Sequence, residues 1–371
     1  MISILHTADW QIGRVFSQFE SDDAAALFEA RFAVVERLAG LATDRGVDAI
    51  LVAGDVFDAQ TVADKTIRRL FNAMQGFTGT WVLMPGNHDA ALAESVWSRA
   101  QRLGAIPGNV IVCLEPKPVV VAGKFTLLPA PLTQRHTYVD LTEWFAAHVS
   151  TDDLPRIGLA HGSVQGILPE DVDSANPIAA GRAQVAGLTY LALGDWHGTK
   201  RVDSRTWYAG TPESDRFKAN DSGQVLLISI EATALEPDVT TVPTGKFGWR
   251  QIEKRMAVDS DVDEVVRTLD AVGGSDVIHV RLSGTCNLAG HRKLSTSLGA
   301  ARAKARADAA ALRLEPTEED IQALHADGFV GEALQELREQ QAGTEPGLAR
   351  DAILALARIL NDQFPGRGAG A

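Results

Sequence analysis

The stretch LALGDWHG, Leu191–Gly198, is an apolar run that stops abruptly in Gly194-Asp195-Trp196-His197-Gly198. HTADWQIG, His6–Gly13, stops the same way. Each sets a Trp between two side chains able to ligate a metal ion: Asp195 and His197 in one, Asp9 and Gln11 in the other. Working outward, three more apolar runs end alike. Ala49–Ala53 leads into Gly54, Asp55 and Asp58; Thr80–Met84 into Gly86-Asn87-His88-Asp89; Arg156–Ala160 into His161-Gly162. Short apolar runs bounded by turn residues read as buried strands. In α/β proteins ligands bind at the carboxyl ends of such strands, and the glycine beside each cluster permits a tight turn there. One Gly-Asp at a strand end is ordinarily a turn, and a lone His161 is ordinarily a satisfied core histidine. Five clusters in order predict one converging centre.

Composition bounds the class. A chain of 371 residues is long for one domain. Its 45% hydrophobic and 22% charged residues fit a globular protein with an ample core. Two cysteines, Cys113 and Cys286, exclude a disulfide framework or a cysteine zinc site and suit a reducing cytoplasm. No basic leader precedes the first strand, and no apolar run approaches the roughly 18 residues of a membrane span. A net charge of −13 argues against coating nucleic acid unaided. It leaves room for a nuclease, since bound cations or a partner can supply positive charge.

The patterning divides the chain into three regions. Residues 1–245 alternate apolar strands with amphipathic helices, among them Asp22–Arg45, Ala63–Gln75 and Glu94–Leu103, and read as a layered α/β domain. VPTGKFGW, Val242–Trp249, is a Pro/Gly boundary. Residues 246–315 read as a small α+β module: strand Arg250–Val258, helix Val262–Val272, strand Val277–Leu282, helix Ala289–Arg306 and a short strand Ala311–Leu314. Residues 316–371 carry only helical patterning, opened by a capping-box-like Thr317 and Asp320 and closed by a frayed PGRGAGA tail.

Two divalent cations about 3.5–4 Å apart can hold an activated hydroxide and both free oxygens of a phosphodiester. A bridging ligand needs negative charge and two lone-pair directions, which suits Asp55. The motifs Asp9-x-Gln11, Gly54-Asp55-x-x-Asp58, Gly86-Asn87-His88-Asp89, His161 and Gly194-x-x-His197 resemble the calcineurin-like metallophosphoesterase signature. ILHTADWQIGR and YAGTPESDRF resemble more particularly the SbcD branch, the nuclease components of SbcCD-type DNA-repair complexes.

The resemblance implies a β-sandwich flanked by helices, with a capping domain over 246–315 and a helical C-terminus. It implies hydrolysis of the DNA backbone by a two-metal-activated hydroxide, in the cytoplasm at the nucleoid. DNA, an SbcC/SMC-like coiled-coil ATPase and a second copy in a homodimer are the implied partners. Carried across by position, one ion falls to Asp9, Gln11, Asp55 and His197, and the other to Asp55, Asn87, His161 and Asp195. His88 falls beside the leaving oxygen. Asp89 either orients His88 or holds a turn.

Two departures stand out. Gln11 replaces a customary His, and Gly194-Asp195-Trp196-His197 replaces Gly-His-x-His. Each ion thus exchanges an imidazole for an oxygen donor, which favours manganese, with magnesium or iron as alternatives, over zinc and loosens the first ion. Other expectations are plainer. Trp10 and Trp196 should pack in the core rather than stack on bases. Arg14, Arg135, Arg182, Lys200 and Arg201 fall near the expected rim, within reach of phosphates, though surface solvation is the better expectation for any single one. The stripe Ile353, Leu356, Ala357 and Leu360 serves either ATPase docking or packing on the chain's own core. The alternatives to a DNA nuclease are a small-nucleotide phosphodiesterase and a weakly active scaffold that binds DNA ends.

Overall fold

The computed structural model describes residues 1–148, 153–167, 175–231, 236–317, 319–320, 328–342 and 346–361. The chain divides into two compact units, residues 1–16 with 25–247 and residues 17–24 with 248–371.

Among the described residues the first unit is built on two six-stranded sheets. One has the order Asp238–Pro243, Gln224–Ile230, Ile2–Thr7, Ala49–Ala53, Thr80–Met84, Val110–Val112. Its last four strands are parallel and its first two antiparallel. The other runs Lys200–Arg201, Thr206–Tyr208, Tyr190–Gly194, Arg156–His161, Phe125–Ala130, Val119–Val121, a parallel core between antiparallel edges.

Strands covered on both faces read as continuous apolar runs, and AILVA (Ala49–Ala53) shows why. Ala49, Leu51 and Ala53 join Leu127, Ile157, Leu159 and Tyr190 between the sheets. Ile50 and Val52 face the outer layer, where helices Ser21–Arg45, Asp64–Ala73 and Val96–Arg102 contribute Val35, Leu38, Leu70 and Trp97. Each such side chain, fully buried, contributes about 1.5–3 kcal/mol. Trp10 belongs to this outer core: it lies edge-on to Trp81 and donates Nε1–H to Thr7 Oγ1 at 3.0 Å. Trp196 is half-buried against the outer side of the second sheet, with Lys218 Nζ 4.7 Å from its ring centre. The five strands with polar ends are parallel within their sheets, Ala53 facing Met84 and Gly194 facing His161 in register.

The second unit holds three parallel strands, Gly248–Met256, Asp276–Cys286 and Lys304–Leu314. Helices Asp259–Ala271 and Leu288–Ala300 connect them and bury Val262, Val265, Leu269 and Leu294 over Ile278, Val280 and Leu282. The sequence expectation fails at one place. The helix predicted over Ala289–Arg306 ends at Ala300, and the strand placed at Ala311–Leu314 begins at Lys304. KARADAAALRL is alanine-rich and locally helical in preference, but pairing along Asp276–Cys286 tucks Ala305, Ala307 and Ala309 against the core. Tertiary pairing overrides propensity there.

Thr317 and Asp320 form the expected reciprocal cap, Asp320 N–H to Thr317 Oγ1 at 3.1 Å and Thr317 N–H to Asp320 Oδ2 at 3.0 Å. Residues 321–327, the PGRGAGA tail and the Leu360 side chain lie outside the described residues. In helix Pro346–Asn361, Ile353 and Ala357 are buried against Leu288 and Leu334, so these two pack on the chain's own core. Among the described residues no helix is long and apolar enough to cross a membrane.

Candidate metal centre

The loops that follow Ile2–Thr7 and Ala49–Ala53 are zipped together by their backbones. Asp9 N–H donates to Gly54 O at 3.1 Å, Gln11 N–H to Asp55 O at 2.9 Å and Ile12 N–H to Val56 O at 2.9 Å. This pairing holds Asp9, Gln11 and Asp55 at φ of 53°, 44° and 52°, and Asp195 sits at 100°. Left-handed backbone is costly for a side-chain-bearing residue and concentrates at functional sites. Four of the expected ligands adopt it. Gly54 has φ 88°, and a Cβ there would lie 2.2 Å from His161 Nδ1, so only glycine lets the imidazole close over this turn.

Asp9, Asp55 and His161 are buried, and each offers a ligand atom within 4.8 Å of the others. His161 Nδ1–H donates to Ala53 O at 2.8 Å, which fixes the tautomer and leaves Nε2 facing oxygen. Asn87 Oδ1 is 3.2 Å from Nε2, Asp55 Oδ1 3.5 Å and Asp195 Oδ1 3.6 Å. Burial alone would lower the His161 pKa, but Asp55, Asp195 and Asp9 overcome it and push it up to about 9. Burial raises Asp195 to about 6 and raises Asp9 as well. Asp9 Oδ1 accepts from Asp195 N–H at 3.1 Å, whereas Asp9 Oδ2 is buried without a hydrogen-bond partner. An orphaned carboxylate oxygen beside an imidazole nitrogen ringed by oxygens is the surrounding of a cation. These five residues fit a divalent metal ion. Their single imidazole and four oxygen donors suit manganese or magnesium better than zinc.

His88 stands at the mouth of this group. Its ring Nδ1–H donates to Asp58 O at 2.8 Å, its backbone N–H to Asp55 Oδ1 at 2.9 Å, and Nε2 lies 3.9 Å from Asp55 Oδ2. Asp89 does not orient His88. It is buried and accepts from Gly86 N–H at 2.7 Å and Phe57 N–H at 3.1 Å, tying the two loops; burial, then Asp55, raises its pKa to about 7.

Gln11 and His197 come together elsewhere in the pocket, Gln11 Nε2 lying 3.3 Å from His197 Nε2. Both are already engaged. Arg14 donates Nη1–H to Gln11 Oε1 and, at 2.8 Å, to Asp215 Oδ2. His197 Nδ1 lies 3.0 Å from Asp215 Oδ2, and Arg216 Nη2 lies 2.7 Å from Nδ1 and 3.0 Å from Nε2. Arg216 also grips Asp215 through Nε and Nη2 at 2.9 and 3.2 Å. Arg31 Nη2, fully buried, approaches the same carboxylate at 3.5 Å and is anchored through Nη1 to Thr211 Oγ1 and Glu213 O. Burial would raise the Asp215 pKa, but His197, Arg31 and Arg216 hold it well below the usual carboxylate range.

Sequence reasoning misplaced Arg14, which belongs to this cluster rather than to the solvated surface, and passed over Arg31, Asp215 and Arg216. One signal was available. Arg31 falls on the apolar stripe Leu27, Ala30, Val34, Leu38 of its helix, where a charge needs a buried partner. Arg182 pairs with Asp140 at 2.5 Å, and Arg201 lies over the Trp207 ring.

Known proteins carry similar sequence. The SbcD component of the SbcCD nuclease from Rhodobacter capsulatus is 37% identical over 93 residues, which is 24% of this chain and 22% of that protein. DNA double-strand break repair protein Mre11 of Methanosarcina acetivorans is 24% identical over 264 residues, 66% of this chain and 39% of that protein. The chain therefore spans well under two thirds of either relative. Residues 2–226, which contain every side chain of the centre described above, match the calcineurin-like phosphoesterase family, and the chain belongs to that family.

Proposed function

We propose that the chain is a metal-dependent phosphodiesterase that cleaves the DNA backbone in repair. On this reading it works at cytoplasmic, nucleoid DNA, beside an SbcC/Rad50-like ATPase and as a homodimer. The observation that carries it is the convergence of Asp9, Asp55, Asn87, His161 and Asp195 from five strand ends around one orphaned carboxylate oxygen. The names of the two relatives, one a nuclease and the other a break-repair protein, support DNA as the substrate.

These five residues would hold a divalent ion, manganese by the donor set, which polarises the phosphodiester and lowers the pKa of attacking water. The chain's own part is positioning. Ala53 O fixes the His161 ring, so its Nε2 is presented rather than swinging. The zipped loops hold the carboxylates in a geometry they would not adopt alone. Asp58 O orients His88 so that Nε2 can hold a proton beside Asp55 and pass it to the departing sugar oxygen. A second ion, expected on Asp9, Gln11, Asp55 and His197, finds two of those four donors engaged by arginines and does not fit this arrangement; no step runs through it.

Manganese-dependent cleavage of end-labelled DNA hairpins by the full chain with its ATPase partner tests the reading. Wild type should cut, chelation should abolish cutting, and His88→Ala should lower kcat by about 100-fold or more. Robust hydrolysis of small nucleotides with hairpins left intact would overturn DNA as the substrate.

A further inference from the structure

Resting on that reading, we infer that the Gln11–His197 half of the pocket is a guanidinium seat for the phosphate group, where Arg14 and Arg216 supply the positive charge that a second divalent ion would otherwise bring.

Two of the four donors a second ion would need, Gln11 and His197, are committed. Gln11 is neutral, and its one strong acceptor atom, Oε1, already takes the Arg14 N–H. Arg216 Nη2 lies within hydrogen-bond distance of both His197 ring nitrogens, and Asp215 Oδ2 lies 3.0 Å from Nδ1. Arginine does not deprotonate in a protein, so an ion on either atom would sit directly against a fixed positive charge. The customary His at position 11 would be a second neutral acceptor for an ion; Gln11 instead pairs with a cation.

The guanidinium groups are held, not wandering. Asp215 is buried and receives Arg14, Arg216 and Arg31 at once. Arg31 lies beneath with 1% side-chain exposure, whereas Arg14 and Arg216 are 25% and 40% exposed. A buried carboxylate over a buried arginine thus fixes two half-open ones, whose remaining N–H donors, without a further hydrogen-bond partner among the described residues, can meet an anion. Planar guanidinium forks match phosphate oxygens in geometry and charge. Gln11 lies two residues from Asp9 in the same zipped loop, which sets the seat beside the metal-binding carboxylates. A phosphodiester carries one negative charge shared over two free oxygens, so one ion and a guanidinium pair can divide them.

Manganese loading of the purified full chain separates the possibilities. Equilibrium dialysis with elemental analysis should give a single Mn2+ per chain, with the hyperfine pattern of an isolated ion in electron paramagnetic resonance. The double variant Gln11→His with Arg216→Ala should take up a second ion and show exchange coupling. Arg14→Gln should keep the single ion and raise KM for bis-p-nitrophenyl phosphate by about tenfold or more. Two coupled ions in wild type would overturn the seat while leaving the phosphodiesterase reading intact. No bound manganese at all would overturn both. An unchanged KM in Arg14→Gln would overturn the phosphate contact.

Discussion

The two halves of the pocket are built by different means. The Asp9–Asp55–His161 half is made by backbone: strand ends, zipped loops and left-handed turns place each donor. The Gln11–His197 half is made by side chains, with Asp215 drawing three arginines from three separate segments. The first half is undercharged and asks for a cation; the second has its cations built in. Backbone-made sites are written in local sequence, and side-chain networks are not.

That difference sets the predictions. The largest effect should come from the network. Asp215→Asn leaves Arg31 buried without its carboxylate, and breaking a buried pair from one side costs about 3–5 kcal/mol. Urea unfolding of wild type and variant measures it, and a loss below about 1 kcal/mol would mean the arginines are held by something other than Asp215.

Next comes Asp55→Asn, which removes the carboxylate that both lies 3.5 Å from His161 and accepts the His88 backbone N–H. Turnover of bis-p-nitrophenyl phosphate should fall by about 100-fold or more. The fold should survive, because Asn keeps an acceptor for that N–H.

Gly54→Ala sharpens the backbone side of the comparison. Its Cβ would press on His161 at a φ that L side chains rarely adopt, for a loss of about 1–3 kcal/mol and weaker manganese binding. Gly40→Ala is the control: it lies in helix Ser21–Arg45 with nothing within 4 Å of the new Cβ, and it should stabilise by about 0.5–1 kcal/mol.

A pH-dependent effect concerns His6, on strand Ile2–Thr7, buried and 2.9 Å from Tyr190 OH through Nδ1. Burial lowers its pKa to about 3, so the folded chain keeps it neutral. Its contribution to stability is whole above the unfolded value of about 6.5 and falls as pH drops toward 3, by roughly 1.4 kcal/mol per pH unit. Unfolding free energies of wild type and His6→Gln between pH 7 and 4 should diverge with that slope difference. Parallel lines would show that His6 is hydrated.

Much of this was legible beforehand. Apolar runs such as AILVA, capped by Gly and a ligand, announced both the buried parallel strands and the convergence of their ends. What escaped has a physical cause in each case. Lys304–Arg306 reads as the end of a helix because alanine's preference is local, while its partner strand is more than twenty residues away in sequence. Arg14 looked like surface because the carboxylate that claims it is Asp215, two hundred positions on. Asp215 and Arg216 lay inside YAGTPESDRF, a segment noticed as a whole but with no feature marking which side chains turn inward.

The most direct test of a cation at the backbone-made half is anomalous diffraction from crystals of the full chain soaked in manganese. The account predicts a peak bracketed by Asp9, Asp55 and His161. A peak confined to Gln11 and His197, or none at either half, would contradict it.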